Sequence, residues 1–436
     1  MTVKTLRALA WLGLALAAPA RAEDLAAEID RRAAAAEARV ISLRRDFHQH
    51  PELSNREERT EAKVAERLAE LGLEVRRGIA KTGVVGVLRG GAPGPVVALR
   101  ADMDALPVTE DTGLPFASKV RATYLGREVG VMHACGHDAH TAIGLGAAEV
   151  LAGVRERLPG TVLFVFQPAE EGAPPGEKGG ASLMLAEGVF ANPKPEAVFA
   201  LHVGSDHAAG ELAAVSGAAM ASSDRLRIVV RGRGTHAAQP WRGIDPIPVA
   251  ARIVLALEAL PAREVALRLP SVVSIGAIHG GTRNNILPDE VELLGTIRAL
   301  DPDIRRELHE RVRRTVRGIA ESAGATAELA LDDGNPMTRN DPELYERMLP
   351  TLARVAGKGF VPGHPRTAAE DFAFFAQQVP SLYFFLGTRD PEVAVADAAV
   401  SHSPRFLVDE RALVLGVRAL AHLVVDYAET SRPPAR

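Results

Sequence analysis

Several short apolar runs in the first half of this chain stop at a cluster of polar residues. Gly83–Leu88, Pro95–Ala101, Thr161–Phe166 and Ala197–Leu201 are almost unbroken in their apolar character. A strand that is apolar at nearly every position is buried on both faces, so layers must cover it above and below. Helical segments supply those layers: Asp24 to about His48, Glu57 to Leu71, a Gly/Ala-rich stretch after His140, and Ala181–Glu187. This alternation predicts an α/β fold, a sheet flanked by helices. Three runs deliver Arg100-Ala101-Asp102-Met103-Asp104, Gln167-Pro168-Ala169-Glu170-Glu171 and His202 at their ends. In an open α/β sheet the site lies at the carboxyl ends of the strands, so these clusters are where chemistry is expected.

The texture changes near Gly217. Leu226–Val230 reads as a strand, Pro246–Leu260 as a helix, Val272–Ile278 and Val291–Ile297 as strands, Asp303–Ala323 as a helix and Thr326–Leu331 as a strand. That order is the ferredoxin-like α+β arrangement. A strong strand, Leu382–Leu386, then resumes the first pattern. The expected organisation is a discontinuous larger domain, 23–216 and 331–436, interrupted by a module at 217–330. A chain of 436 residues has the length for both.

The first 22 residues read as a signal peptide. Lys4 and Arg7 are basic, Trp11–Ala18 is apolar, and Ala20-Arg21-Ala22 has the small-x-small pattern of a cleavage site. The apolar run is too short to span a bilayer, and no later stretch is long enough either. The expectation is export, to the periplasm or beyond, with cleavage after Ala22. A net charge of -4 and 4% aromatic residues point away from nucleic acid as a partner.

The only cysteine lies in Met132-His133-Ala134-Cys135-Gly136-His137-Asp138-Ala139-His140. It has no partner in this chain for a disulfide, and an exposed thiol would oxidise outside the cell. A thiolate beside imidazoles suits zinc or a similar metal, although a buried cysteine with incidental histidines would read the same way. Adjacent Glu170 and Glu171 can point to different sides, one toward a metal and the other toward the water it activates, or they can line a solvated acidic loop. His202 closes an apolar strand as a ligand or as a core histidine. His402 lies in a loop before the last helix, as a ligand or a surface residue. Gly232-Arg233-Gly234-Thr235-His236 presents His236 on a loop, where it could polarise a substrate oxygen. Asn285 and Arg298 could hold a substrate carboxylate, or be a plain turn asparagine and a surface arginine.

Taken together, these segments resemble the metal-dependent amidohydrolases of the aminoacylase, hippurate hydrolase and indoleacetyl-amino-acid hydrolase group, related to carboxypeptidase G2 and succinyl-diaminopimelate desuccinylase. Asp102-Met-Asp-Ala-Leu-Pro107, His133-Ala-Cys135-Gly-His137-Asp-Ala-His140, Gln-Pro-Ala-Glu170-Glu171-Gly, Ala-Leu-His202, Gly234-Thr-His236, Asn285-Ile-Leu-Pro288, Gly295-Thr-Ile-Arg298, Ala-Glu370-Asp-Phe and His402-Ser-Pro-Arg-Phe406 stand in the family's order. The resemblance implies a di-metal site at the strand ends and a lid and dimerisation role for the inserted domain. It implies that Cys135, His137, Glu171, His202 and His402 ligate two divalent ions (Zn, Mn, Co or Ni), shared through the cysteine. It further implies that Glu170 is the general base, that Asp102 orients a ligand histidine, and that His236 is an oxyanion donor delivered across a homodimer. Asn285 and Arg298 resemble lid residues near the substrate.

Two departures stand out. Arg100 occupies a position where other branches carry a ligand histidine, and the loop 172–180 is long and proline-rich, which leaves the acyl specificity open. The implied function is hydrolysis of N-acyl amino acids to a carboxylic acid and a free amino acid. The competing readings are a dipeptidase or carboxypeptidase on the same fold, and a ligand-binding protein without turnover.

Overall fold

The computed structural model describes residues 17–266 and 270–431, with side chains from residue 25 onward. Most of the segment read as a signal peptide lies outside the described residues. Its last part, from Ala17, is the start of the helix Ala17–Gln49.

The larger sheet has eight strands. Its centre is four parallel strands, in spatial order Pro159–Gln167, Ala92–Asp102, Ala197–Ala208 and Ser381–Arg389. Antiparallel neighbours close both flanks: Gly83–Arg89 and Glu74–Ile79 on one, Leu212–Ala214 on the other. The central strands bury both faces, as their composition requires. Leu99, Phe164, Phe166 and Phe199 pack against the long helices, while Ala98, Leu163, Val165 and Val198 meet the opposite layer. Truncating one of those phenylalanines to alanine would cost about 3–5 kcal/mol.

The helices Ala17–Gln49, His137–Ala152 and Leu413–Thr430 pack on one another and on one face of the sheet. His137–Ala152 can lie deep because it is made of small residues. A methyl at Gly146 would meet Val40 and Val417 at 2.7 Å, and one at Gly144 would meet Phe166 at 3.0 Å. This helix starts at His137, three residues before the sequence suggests. Gly136 caps it with φ at 86°, and a Cβ there would sit 2.3 Å from Val203 Cγ2. Only glycine satisfies both constraints, and the sharp entry sets Cys135 and His137 on either side of the turn.

The inserted elements form a separate antiparallel sheet in the order Ser271–Gly280, Glu290–Ala299, Ser222–Arg231, Thr326–Asp333. The helices Pro246–Arg263 and Pro302–Ser322 cover one of its faces, with a core of Ile228, Val230, Ile253, Leu257, Leu293, Ile297, Leu308 and Val312. The topology is the ferredoxin-like one. A two-stranded ribbon, Gly217–Met220 with Thr338–Asn340, stands where the chain enters and leaves this sheet. No helix among the described residues is long and apolar enough to cross a membrane.

One buried ion cluster ties this module together. The Asp224 carboxylate lies 2.8 Å from His309 Nε2 and 3.0 Å from Arg305 Nε, both on the helix Pro302–Ser322. Burial works against its charge, but His309 and Arg305 prevail and hold its pKa at about 2. A carboxylate whose folded-state pKa lies below its unfolded value stabilises the fold above that value and loses the contribution as pH falls through the folded one. Asp224→Asn should therefore lower stability by about 1–3 kcal/mol at pH 7. In urea titrations the deficit should shrink as pH drops from about 4 toward 2; an equal deficit at both ends would contradict the pairing.

Candidate metal centre

The carboxyl ends of the parallel strands converge on one group of side chains. Asp102 and Asp104 come from the end of Ala92–Asp102 and the turn after it, Glu170 and Glu171 from the turn after Pro159–Gln167, and His202 from Ala197–Ala208. Cys135 and His137 flank the glycine cap, and His402 lies in the loop between the last strand and the last helix. His202 does not end its strand, as the sequence suggests. The strand runs six residues further, to Ala208, because Ser381–Arg389 continues the ladder, with Phe385 opposite His202. The neighbouring strand stops pairing at Arg100–Ala200, so His202 lies just past the end of that ladder.

Two triads of donor atoms share the thiol. Cys135, His137 and His202 form one, Cys135, Glu171 and His402 the other, each with its atoms within 4.8 Å of one another. Cys135 Sγ lies 3.4 Å from His202 Nε2, and His402 Nε2 lies 3.2 Å from Glu171 Oε1. Sulfur and nitrogen bound to one tetrahedral zinc would be roughly 3.6 Å apart, given bonds of about 2.3 and 2.1 Å.

The ring orientations agree with ligation. His137 Nδ1 donates to the Asp104 carbonyl at 2.9 Å, and His202 Nδ1 donates to the Val203 carbonyl at 2.6 Å. Each tautomer is thereby fixed with Nε2 as the lone-pair nitrogen. His137 Nε2 is buried and has no hydrogen-bond partner. Soft thiolate, imidazoles and one carboxylate suit zinc or a first-row neighbour. The residues present fit two divalent ions.

The electrostatics demand positive charge. His402 is pushed up to about 10 by its hydrogen bonds to Cys135 and Glu171. Burial opposes charge on His137, yet Asp102, Asp104 and Cys135 raise its pKa well above the ordinary value. Burial, then Glu370, Glu171 and Asp371, raise Glu170 well above the carboxylate range. Protons gather wherever anionic donors crowd, and a divalent cation relieves the same crowding.

The surroundings correct one expectation. Asp102 was expected to orient a ligand histidine, but its Oδ2 is 3.8 Å from His137 Nε2 and makes no hydrogen bond to it. Its Oδ1 instead accepts a hydrogen bond from His140 Nδ1 at 2.6 Å, and His140 Nε2 accepts the Val203 N–H at 2.9 Å. Both nitrogens of His140 are thus occupied. Asp104 holds His137, and its two oxygens accept the backbone N–H groups of Glu170 (3.1 Å) and Glu171 (3.0 Å). Glu57 adds a second clamp, accepting from Ala169 N at 2.9 Å. Ala169 is in the left-handed region, with φ at 53°. Neither Asp104 nor Glu57 was singled out from sequence. Asp104 carried a signal, its adjacency to Asp102; Glu57 carried none.

Arg100 does not face the thiol and imidazoles. Its buried guanidinium reaches Asp102 at 2.5 Å, Glu370 at 2.7 Å, Gln167 at 2.8 Å and Asp371 at 3.1 Å. Glu370 also accepts from Tyr383 Oη at 2.6 Å.

A cavity of about 630 Å³ opens over the cluster, lined among others by Cys135, Glu170, Glu171, His202, Arg298 and His402. Arg366 also lines it but is engaged by Asp206 at 2.5 Å. Arg298, which is half-buried, makes no hydrogen bond or ion pair with any described residue. His236 and Asn285 do not line this cavity. They lie together on the exposed surface of the inserted module, where Thr235–His236 pairs with Ile286–Leu287 and Ala237 N donates to Asn285 O at 3.0 Å.

Comparison with known proteins gives the same picture. The model of peptidase family M20/M25/M40 matches residues 98–426. Thermostable carboxypeptidase 1 of Saccharolobus solfataricus is 41% identical over 391 residues, which is 89% of this chain and 95% of that protein. N-acetylcysteine deacetylase of Bacillus subtilis is 38% identical over 393 residues, 90% of this chain and 97% of that protein. The solved structure of Bacillus subtilis YXEP, described as a dinuclear metal-binding peptidase of the M20 family, has a TM-score of 0.76 at 36% identity, covering 91% of this chain and 99% of that one. The chain belongs to peptidase family M20/M25/M40 and is a metallo-amidohydrolase or metallopeptidase of that family.

Proposed function

We propose that this chain is an exported two-metal amidohydrolase that cleaves N-acyl amino acids to a carboxylic acid and a free amino acid. The observation that carries the reading is the cavity itself. It joins two donor triads sharing Cys135, a carboxylate beside them that is in neither triad (Glu170), and Arg298, which has no hydrogen bond or ion pair among the described residues. Cys135, His137, Glu171, His202 and His402 would hold the ions, which when bound supply Lewis-acid polarisation of the scissile carbonyl and a water of lowered pKa.

The chain's own groups supply the rest. Glu170 takes a proton from the attacking water and passes it to the leaving nitrogen. Its carboxylate is positioned by the Asp371 N–H at 3.3 Å and its backbone by Asp104. Burial and neighbouring carboxylates make it a strong proton acceptor. Arg298 pairs with the carboxylate of the amino-acid half.

His236 completes the site as oxyanion donor from a second copy of the chain. Two features support that reading: His236 lies outside the cavity of its own chain, and its strand partner on the module's surface is the exposed Ile286. Export rests on Lys4, Arg7, the apolar run and Ala20-Arg21-Ala22. A carboxypeptidase is the second reading, favoured by the 41% identity to a protein of that name.

Release of amino acid from N-acetyl, N-benzoyl and peptide substrates tests the reading. Chelation should abolish hydrolysis, and Zn, Mn, Co or Ni should restore it; activity indifferent to chelator would remove the metal from the mechanism. Glu170→Gln should keep its metal and lose about 10²–10⁴ in kcat; near-normal turnover would remove Glu170 as the base. Arg298→Ala should raise KM by about 10–100-fold for N-acyl amino acids, the worth of a charged hydrogen-bonded pair. It should leave the corresponding amino-acid amides, which lack the carboxylate, unaffected; equal losses on both would show that Arg298 does not read that group.

A further inference from the structure

The proposed reaction gives the amino-acid half of the substrate a partner in Arg298 and leaves the acyl half without one. Glu171 stands in the wall of three cavities. One is the large cavity with Arg298; a second, of about 130 Å³, is walled by Leu106, Pro107, Leu125, Pro174 and Pro175; a third, of about 410 Å³, is lined by the charged Arg225, Asp332 and Asp333. A substrate whose carbonyl lies at the donor cluster therefore has three directions in which to extend, of which the second is the least charged.

Beside Leu106 and Pro107, the wall of the second cavity is completed by two elements outside the core clusters. One is the hairpin Arg121–Tyr124 and Arg127–Gly130, which turns at Leu125 and Gly126 with φ at 50° and 74°. Turns of that kind favour Asn-Gly or Asp-Gly. A leucine in the left-handed region is unfavourable, and this one is 66% exposed and belongs to none of the core clusters. The other element is the proline-rich loop after Glu171. It is pinned through Glu177, which accepts from Arg56 at 2.5 Å and Asn55 at 3.0 Å. Two of the polar groups at the wall are committed elsewhere, Ser54 to Asp104 at 2.7 Å and Arg56 to Glu177, and Thr123 and Tyr124 complete the polar lining. Apolar surface only slightly exceeds polar surface in this cavity, and its one carboxylate, Glu171, belongs to the donor cluster. An engineered apolar cavity of about 150 Å³ holds benzene.

We propose that this second cavity is the acyl subsite, that it takes an uncharged apolar acyl group of about the size of a benzene ring, and that Leu125 sets that preference. The inference rests on the amidohydrolase reading above. A free α-ammonium on the acyl side would meet no unengaged carboxylate here, so N-blocked substrates are favoured over dipeptides of the same side chain.

The test uses the full-length, metal-loaded protein and Leu125→Asn and Leu125→Gly variants, both residues that the turn accepts. N-acetyl, N-benzoyl and N-decanoyl derivatives of one amino acid are compared with a dipeptide of that amino acid. In the wild type, kcat/KM should be highest for N-benzoyl. In both variants the benzoyl-to-acetyl ratio should fall about fivefold or more, as expected when an apolar wall is lost. An unchanged ratio with N-acyl hydrolysis intact would overturn the subsite and leave the amidohydrolase reading standing, as would a preference for N-decanoyl or for the dipeptide. Failure of the wild type to hydrolyse any N-acyl substrate with any metal would overturn both.

Discussion

A carboxylate inside a protein needs something positive or protic facing it, and the head of the parallel strands in this chain gathers seven. They are Glu57, Asp102, Asp104, Glu170, Glu171, Glu370 and Asp371, and Glu171 shares a donor triad with Cys135. Arg100 answers part of the charge, through Asp102, Glu370 and Asp371. Backbone N–H groups answer another part, at Asp104, Glu57 and Asp371. Protons take a share: burial and charged neighbours lift Glu57 and Asp371 to about 7. The side bearing Cys135 and Glu171 has only His137, His202 and His402 to face it. A group of anionic donors left uncompensated in a dry site is unstable, and divalent cations would compensate it.

The position of Arg100 organises this division. Two residues before Asp102 the strand is still fully buried, and a guanidinium there can be tolerated only by bridging several acids at once. It does so, which commits Asp102 and Glu370 to the side of the cluster away from the thiol. The two donor triads then draw Cys135, Glu171 and His402 from turns and loops, His137 from a helix start and His202 from a strand. Those turns carry the unfavourable backbone: Ala169 and His402 both have positive φ, at 53° and 70°. Each is held by a specific bond, Ala169 N to Glu57 and His402 N to the Ala134 carbonyl at 2.7 Å. Strain held in this way at turns beside a donor cluster is the pattern expected where side-chain placement takes precedence over local comfort.

The central strands and the ferredoxin-like module were legible because their periodicity is set by burial, and burial follows composition directly. Glu74–Ile79 and the hairpin ending at Gly130 were not, because they are short and largely exposed, and Leu212–Ala214 and Phe360–Pro362 were not, because each is three residues long and pairs with strands remote in sequence. His202 looked like a strand end because Gly204, Ser205 and Asp206 follow it; a ladder to a strand some 180 residues later overrides that local signal. The convergence of Cys135, His137, Glu171, His202 and His402 was readable only through resemblance, since spacing alone left each residue a plain alternative. The role of Glu57 was not readable at all, and Asp104 was marked only by its adjacency to Asp102. Both act by accepting backbone N–H groups from a turn far along the chain, and such a bond leaves no trace in residue type.

The central claim is that Cys135 joins two metal positions in one centre. The direct measurement is the divalent metal content per chain, by plasma mass spectrometry, of reconstituted and desalted wild type and Cys135→Ala protein. The account predicts two ions per wild-type chain and at most one in the variant. A wild type that holds no more than one ion, or a variant that keeps both, would contradict it.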